Sequence, residues 1–304
     1  MGTMCCGTNL DNIQETPRQI LRFYKGKKVQ IYDFLSQTYD ECIIQSTLSD
    51  FLGCSQIQIG TMIYLCGTSP TKNEYDSSFM YSIDTSTIPL KTKIEVNSFS
   101  SHYYPTLVHY NKEYIFVIGG KRTTKCEYYF IKNKKWKVLP CLPEERYGAI
   151  GLMHSSTYHL YIFGGIESES GKYQKGVLKI GLPSFIEWEF INIKQNESYF
   201  QRAFSLITSN SLNNFFILGG QKEGEGDIND ILVMEINNDH FDIKESKLLK
   251  LPSKMSFRYY KASMYDELDH TLYYYNENVD RQIVKINPNT FEVSEFSVGI
   301  KKFK

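Results

Sequence analysis

The sequence predicts an all-β fold built from repeated antiparallel units, and three observations support this prediction. Of the 304 residues, 14% are aromatic, with 23 Tyr and 19 Phe, and aromatic residues favour strands. Short apolar runs that end in a double glycine recur at 114–120, 160–165 and 215–220. The same slot recurs in weaker form at IYLCG (63–67), LYYYN (272–276) and RFYKG (22–26). Recurrence of one pattern about every 50 residues is typical of repeat architectures.

The six slots define six repeat units with a mean spacing of 50 residues. The terminating pairs begin at Lys25, Cys66, Gly119, Gly164, Gly219 and Tyr275. A bulky polar residue precedes four of these markers by 17 or 18 positions: His102, Arg146, Arg202 and Arg258. An aromatic residue follows the next strand, as Trp136 follows Tyr129 and Trp188 follows Leu178. Each unit therefore reads as four strands with short polar connections.

The strands of one unit have different characters. The run YIFVIGG (114–120) is apolar at consecutive positions, which indicates an inner strand that is covered on both faces. Its double glycine marks a point where the backbone takes unusual angles or approaches another chain segment closely. Turn-forming residues such as Asn237, Asn238 and Asp239 separate the third and fourth strands and predict tight hairpins.

These features resemble kelch repeats. The double glycine, the later Tyr and Trp positions, and the Leu-Pro followed by Arg in LPCLPEERYGAI (139–150) and LPSKMSFRYYKAS (251–263) carry the resemblance. It implies a six-bladed β-propeller with four-stranded antiparallel blades over residues 20–304, preceded by a leader over residues 1–19. The innermost strand of the first blade has two candidates, the polar segment 8–15 and the tail 299–304.

Strand alternation places two kinds of loop at one end of the units: the connections between units and the loops after the double glycines. The resemblance to kelch proteins extends a partner-binding role to residues in these connections, namely His102, Tyr103, Arg146, Tyr147, Arg202, Arg258 and Tyr259. Arg and Tyr suit an acidic or phosphorylated peptide, because guanidinium groups bind oxyanions through two hydrogen bonds. The alternative is that each Arg satisfies strand-end carbonyls or a nearby acid such as Glu144 or Glu145.

Charge is balanced over the whole chain and divided among the loops. Lys and Arg total 34, as do Asp and Glu, so no net field favours nucleic acid or a membrane surface. The loop after Gly120 is basic, whereas the loops after Gly165 and Gly220 are acidic. The basic residues are Lys121, Arg122 and Lys125, and the acidic residues are Glu167, Glu169, Glu223, Glu225 and Asp227.

The sequence predicts neither catalysis nor a cofactor. It contains no His-x-His, paired-carboxylate or nucleophile motif, and none of its seven cysteines forms a Cys-x-x-Cys pair. His154, His159, His109 and His270 fall near hairpin turns at the end opposite the arginines. The expected function is a non-catalytic protein-interaction scaffold or assembly subunit, with cytoskeletal complexes suggested by the family. The alternative is a metal-dependent propeller enzyme, oxidase-like or specifier-like, with a site near the channel.

The N-terminal residues suggest a second feature. Gly2, Cys5 and Cys6 resemble a dual acylation signal, and two lipid groups are what stable membrane anchoring requires. No secretory signal or apolar membrane span is apparent, so a cytoplasmic protein is expected, with membrane tethering as the acylated alternative. Residues 1–19 are too few for the BTB or F-box domain found in many kelch proteins.

Overall fold

A computed structural model describes most of the chain between residues 19 and 297. The described residues are 19–23, 28–33, 38–46, 53–68, 78–87, 89–154, 156–191, 197–209, 214–237, 240–247, 263–266, 271–275, 282–287, 290 and 292–297. Within these ranges the protein consists of strands with one short 3-10 helix, Glu197–Tyr199, and no α-helix. The all-β prediction is confirmed.

The strands form sheets in chain order, and neighbouring strands of each sheet are antiparallel. Sheet 1 contains β1 (Gln19–Phe23), β2 (Lys28–Asp33) and β3 (Thr38–Ile43). Sheet 2 contains β4 (Ser55–Ile59), β5 (Met62–Thr68), β6 (Phe79–Asp84) and β7 (Thr92–Ile94). Sheet 3 contains β8 (Thr106–Tyr110), β9 (Tyr114–Ile118), β10 (Cys126–Phe130) and β11 (Lys135–Leu139). Sheet 4 contains β12 (Ile150–His154), β13 (His159–Phe163), β14 (Val177–Gly181) and β15 (Glu189–Ile191).

The fifth unit adds a small accessory sheet. Its strands in chain order are β16 (Arg202–Ala203), β17 (Leu206–Ser209), β18 (Asn214–Leu218), β19 (Gln221–Lys222), β20 (Gly226–Asp227), β21 (Ile231–Asn237) and β22 (His240–Lys247). Sheet 5 pairs β17, β18, β21 and β22, and the accessory sheet pairs β16, β19 and β20. Sheet 6 contains β23 (Ser263–Asp266), β24 (Thr271–Tyr275), β25 (Gln282–Ile286) and β26 (Val293–Ser297).

Burial along the strands follows the predicted characters. In β9 and β13 the last four residues are all buried, because neighbouring sheets cover both faces of these inner strands. The outer strand β11 is mostly exposed and carries lysines, which discourage pairing with another chain. Two Trp residues are buried although they lie on or just before outer strands. The indole N–H of Trp136 in β11 donates to Val96 O at 2.6 Å, and that of Trp188, just before β15, donates to Pro140 O at 2.9 Å.

Each sheet packs face to face on the next, and the last returns to the first. Buried apolar clusters join sheet 1 to sheet 2, sheet 2 to 3, sheet 3 to 4, sheet 4 to 5 and sheet 5 to 6. The first strands of the sheets lie beside one another in the order β4, β8, β12, β17, β23, and β1 also contacts β23. The sheets are therefore arranged around a common centre.

The first unit differs from the other five. Three described strands form sheet 1, whereas sheets 2 to 6 have four each. Both candidates for a further inner strand, residues 8–15 and 299–304, lie outside the described residues.

Candidate functional site

One end of the sheets carries both the connections between units and the loops after the double glycines. We call it the loop face and define it by residues 98–104, 119–125, 140–149, 164–176, 199–205 and 219–230. Contacts between the two kinds of loop establish the arrangement: the N–H of Lys121 donates to Tyr103 O at 2.6 Å, and Tyr147 exchanges two hydrogen bonds of 3.0 Å with Ile166. This agrees with the prediction from strand alternation.

Arg146 lies beneath this face with none of its side chain exposed. Its guanidinium donates to the carbonyl oxygens of Gly164 at 2.9 Å, Lys175 at 2.9 Å and Gly176 at 3.3 Å, and pairs with the carboxylate of Glu144. Burial lowers the pKa of Arg146, and the adjacent Glu144 charge opposes that effect. The side chain thus holds together the strand ends and the loop of sheet 4.

Arg202 has the same role in the fifth unit and is also buried. It donates to Gly219 O at 3.2 Å and to Tyr199 O, and its guanidinium faces both carboxylate oxygens of Asp230 at 2.8 and 3.2 Å. A bidentate pair of this geometry combines charge with directional hydrogen bonds. Arg202 therefore ties the start of its unit to the loop that follows β18.

His102 occupies the equivalent position in the third unit. Nδ1 lies 2.7 Å from Gly119 O, Nε2 lies 3.3 Å from Oε1 of Glu127, and both side chains are fully buried. Burial raises the pKa of Glu127, but hydrogen bonds from His102 and from the N–H of Phe99 outweigh it, so the pKa falls below its ordinary value. The imidazole and carboxylate together replace the guanidinium of the other units.

The burial of these side chains corrects the predicted partner-binding set. His102, Arg146 and Arg202 are buried, and contacts within the protein hold most of their polar groups, so these side chains do not reach the surface of the loop face; Tyr103 is only 5% exposed. Tyr147 is half-buried at the surface of the loop face. Arg258 and Tyr259, the remaining predicted members, lie outside the described residues.

A shared contact pattern explains why the polar residue and the double glycine keep a constant spacing. His102, Arg146 and Arg202 each contact the carbonyl of the first glycine in their own unit. Their own carbonyl oxygens lie close to the glycine of the preceding unit: a Cβ added at Gly164 would overlap Arg202 O, and at Gly119 it would lie 3.1 Å from Arg146 O. The 17- or 18-residue spacing therefore reports a link between adjacent sheets.

Aromatic rings fill the middle of the loop face. The ring of Tyr103 packs on Gly53 and that of Phe204 packs on Gly148, where a Cβ would overlap each ring. Tyr104 contacts Phe204 edge-on, with ring centroids 5.7 Å apart, and Tyr147 lies 6.0 Å from Phe204. Ring geometry of this kind is favourable beyond the area it buries.

Main-chain hydrogen bonds connect the same positions from unit to unit. The N–H of Tyr104 donates to Gly53 O at 2.7 Å, that of Gly148 to Tyr104 O at 3.2 Å, and that of Phe204 to Gly148 O at 2.7 Å. All four residues have positive φ, between 53° and 77°. Tyr104 and Phe204 keep a conformation that glycine adopts more easily, which indicates that their rings are held by the surrounding packing.

Charged side chains surround this aromatic centre. Arg122 and Lys125 are exposed on the basic loop, and Glu169, Glu223 and Glu225 are exposed on the acidic loops. Glu223 accepts a hydrogen bond from Gln201, which also donates to Tyr173 O, so the acidic loops are linked to each other. The predicted charge division of the loops is present on the surface.

Glu145 is a loop-face residue whose role the sequence does not indicate. The sequence suggests it only as an ion-pair partner for an Arg, but Glu144 has that role, and the carboxylate of Glu145 accepts hydrogen bonds from Arg122 and Ser168 on two different loops. No spacing rule links residues 122, 145 and 168, so sequence patterns give no signal for this contact.

Comparison with known proteins identifies the architecture. No family model and no curated protein matches the sequence. The solved structure of YjhT is similar over 72% of this chain and 75% of that chain, with a TM-score of 0.57 and 14% sequence identity. The chain has a β-propeller-like fold. At this identity the likeness concerns the fold alone.

Two histidines lie opposite each other at the turn end of one hairpin. His154 pairs with His159 across the β12–β13 hairpin, and its Nδ1 lies 2.7 Å from Thr157 Oγ1. His270 falls outside the described ranges. Among the residues that the structure describes, no three His, Cys, Asp or Glu side chains are grouped so as to hold a metal ion.

The predicted acylation residues Gly2, Cys5 and Cys6 also lie outside the described residues. Within the described ranges, the search for a helix with the length and apolar character of a membrane span found none.

Proposed function

We propose that this chain is a six-bladed, kelch-type propeller that acts without catalysis, as a protein-binding scaffold or subunit of a larger assembly, through its loop face. The observation that carries the proposal is the division of that face into two layers. Buried arginine and histidine side chains bind carbonyl and carboxylate oxygens beneath the face. At its centre, half-buried tyrosines are surrounded by exposed charged loops. An aromatic centre with a polar rim is the common anatomy of a protein interface.

The six-bladed kelch assignment is supported by the repeated link between units. Six larger sheets are present among the described residues, and β1 lies beside β23, so the last unit adjoins the first. In three units the double glycine is held by the polar residue that precedes it by 17 or 18 positions. Resemblance to kelch proteins further suggests a cytoplasmic assembly of the cytoskeletal type.

The proposed partner is a protein segment that is acidic or phosphorylated and docks on the basic loop. Arg122 and Lys125 are exposed there, whereas Arg146 and Arg202 are buried. Exposed cations attract an anionic segment and raise its association rate, and the acidic loops nearby exclude segments that would bind in the wrong orientation.

The test is comparative co-purification from the source cell at low salt. Three proteins are compared: the wild type, the loop-face variant Arg122→Glu with Lys125→Glu, and the control Lys112→Glu with Lys132→Glu. The control reverses the same number of charges on exposed hairpin turns at the opposite end. We expect proteins captured by both the wild type and the control to be absent from the loop-face variant.

A second variant determines the sign of the interaction. Glu169→Lys with Glu225→Lys reverses two exposed acids on the same face, and an acidic partner should be retained by it. If all three variants capture the same proteins as the wild type, the loop face is not the binding surface.

A further inference from the structure

The carboxylate of Glu145 lies among hydrogen-bond donors from two neighbouring loops. Its Oε1 accepts the N–H of Arg122 at 2.6 Å, the N–H of Ser168 at 3.2 Å and the hydroxyl of Ser168. Arg122 belongs to the loop after β9 and Ser168 to the loop after β13. The donors thus converge on one oxygen from two adjacent blades.

Two of the three donors are backbone N–H groups, and the N–H of Arg122 also lies 3.1 Å from Ser168 Oγ, a contact that links the two loops without Glu145. Arg122 has a φ of 64°, the left-handed conformation found where backbone N–H groups form a concave anion site. Ile166, two residues before Ser168, exchanges two backbone hydrogen bonds of 3.0 Å with Tyr147, and Gln174 donates to the main-chain oxygen of Glu145 at 3.4 Å. Shortening the Glu145 side chain would remove the occupant and leave the donors in place.

The chemistry of this pocket favours an oxyanion. Two N–H groups and one hydroxyl face a single oxygen, and such donors bind carboxylate or phosphate more strongly than a neutral acceptor. Arg122 is exposed, and Glu145 and Ser168 are each partly exposed, so an anion from solution can reach the pocket. The neighbouring Lys121 and Lys125 side chains add positive charge to the same loop.

We propose that Arg122 and Ser168 form an oxyanion-binding site in which Glu145 is an internal substitute for a carboxylate or phosphate of the partner. The partner segment binds by displacing the Glu145 carboxylate, which turns toward solvent. This assignment rests on the proposed function in one respect, that the natural anion belongs to a protein partner. The site itself is defined by the donors and can be tested without that partner.

The experiment is a titration of the full chain with inorganic phosphate, and separately with acetate, at constant ionic strength. Backbone amide NMR signals of Arg122 and Ser168 are followed in the wild type, Glu145→Ala, Glu145→Gln and Glu169→Ala. Glu169→Ala is the matched control, because it removes one acid from the same loop as Ser168 without emptying the pocket. Glu145→Gln keeps a side chain of similar shape without the charge.

We expect Glu145→Ala to show saturable shifts confined to these amides, with phosphate bound about tenfold or more tightly than by the wild type, since no internal carboxylate competes. Glu145→Gln should bind with intermediate affinity, and Glu169→Ala should behave as the wild type. A response to both probes indicates a general oxyanion site, and a response to phosphate alone indicates a site for phosphorylated segments.

Two results would overturn the assignment. One is the absence of localised shifts with either probe in folded Glu145→Ala; if that variant does not fold, wild-type behaviour of Glu145→Gln has the same meaning. The other is an equal gain in Glu169→Ala, which would indicate a general effect of charge. If the anion binds but the loop-face variant captures the same proteins as the wild type, the oxyanion site is supported and its role in partner binding is contradicted.

Discussion

The loop face contains arginines at two different depths. Arg146 and Arg202 are buried, and carbonyl and carboxylate oxygens surround them, whereas Arg122 is exposed on a loop a short distance away. All three residues are arginines, and all three lie at the same end of the protein. Position within the repeat therefore decides whether a cation stabilises the fold or is presented at the surface for recognition.

Physical chemistry explains why the two populations are not interchangeable. A buried guanidinium is costly unless acceptors lie around it, and carbonyl and carboxylate oxygens within the protein bind most of the N–H groups of Arg146 and Arg202. An exposed guanidinium contributes little to stability but acts over a distance on a charged ligand. Variants at both depths test this contrast, and the largest effect is expected at a buried arginine.

Arg202→Ala should cause the largest loss of stability. It leaves the carboxylate of Asp230 and the carbonyl of Gly219 without their guanidinium donor, which should cost about 3 kcal/mol, the lower end of the range for a buried ion pair, because Lys222 still lies 3.6 Å from Asp230. The measurement is the free energy of unfolding in urea. Arg122→Ala is the matched control and should stay within about 0.5 kcal/mol of the wild type, as is usual for exposed sites. Equal losses in the two variants would contradict the division into two layers.

Gly164→Ala should be more destabilising than Gly171→Ala, although both glycines have positive φ. A Cβ at Gly164 would overlap the carbonyl oxygens of Arg202 and Phe200, whereas at Gly171 it meets nothing within 4 Å. Gly171→Ala should cost only the backbone penalty of about 1–2 kcal/mol, and Gly164→Ala should cost clearly more. Thermal unfolding of the two variants measures the difference; similar midpoints would show that contact between adjacent blades is not what requires the glycine.

Glu127→Gln should weaken the dependence of stability on acid pH. Because the pKa of Glu127 is lowered in the folded protein, its ionised form adds stability that is present above its ordinary value of 4.5 and is lost as the pH falls through the folded value. One such group changes the slope by at most about 1.4 kcal/mol per pH unit. Unfolding free energies from pH 6 downward measure it, with the exposed Glu113→Gln as control. A slope unchanged from wild type in Glu127→Gln would contradict the buried pair.

Thiol labelling perturbs the protein least and should distinguish buried from exposed cysteines clearly. Burial raises the pKa of Cys126 to about 12 and also raises that of Cys66, so both should resist alkylation near pH 8 in the native protein. Cys141 is exposed and should react. Peptide mass spectrometry after brief iodoacetamide treatment measures each site, and early labelling of Cys126 would mean that sheet 3 opens readily.

The regular parts of the molecule could be predicted from the sequence because each leaves a repeated residue type. The double glycines at 119, 164 and 219 end inner strands as expected, and Trp136 lies directly opposite Tyr129 in the β10–β11 pair. The glycines allow the backbone to bend, and the aromatic residues pack between strands. Each of these roles allows few residue types. The constant spacing before each glycine is visible too, but from the sequence alone it also fits a ring of binding residues.

The functional details could not be predicted in this way. The acceptors of Arg146 are carbonyl oxygens, which every residue carries, and the carboxylate of Glu144, so the sequence offers these contacts only as an alternative to partner binding. Glu145 meets Arg122 and Ser168 through loops of different length in two blades, and no periodicity records such a meeting. The constant spacing between the repeat arginines and the double glycines is the usable signal of a structural role. A residue that recurs at the same distance from the strands of each unit is expected first to stabilise the fold.

The series of hydrogen bonds from Gly53 through Tyr104 and Gly148 to Phe204 links four consecutive units through their main chains. Its links are peptide groups, so no single side-chain replacement can cut it, provided that the new residue tolerates positive φ and keeps an N–H. Gly, Tyr, Gly and Phe occupy equivalent links. A side chain at the centre of the face can therefore change its chemistry while the main-chain links between these units stay in place.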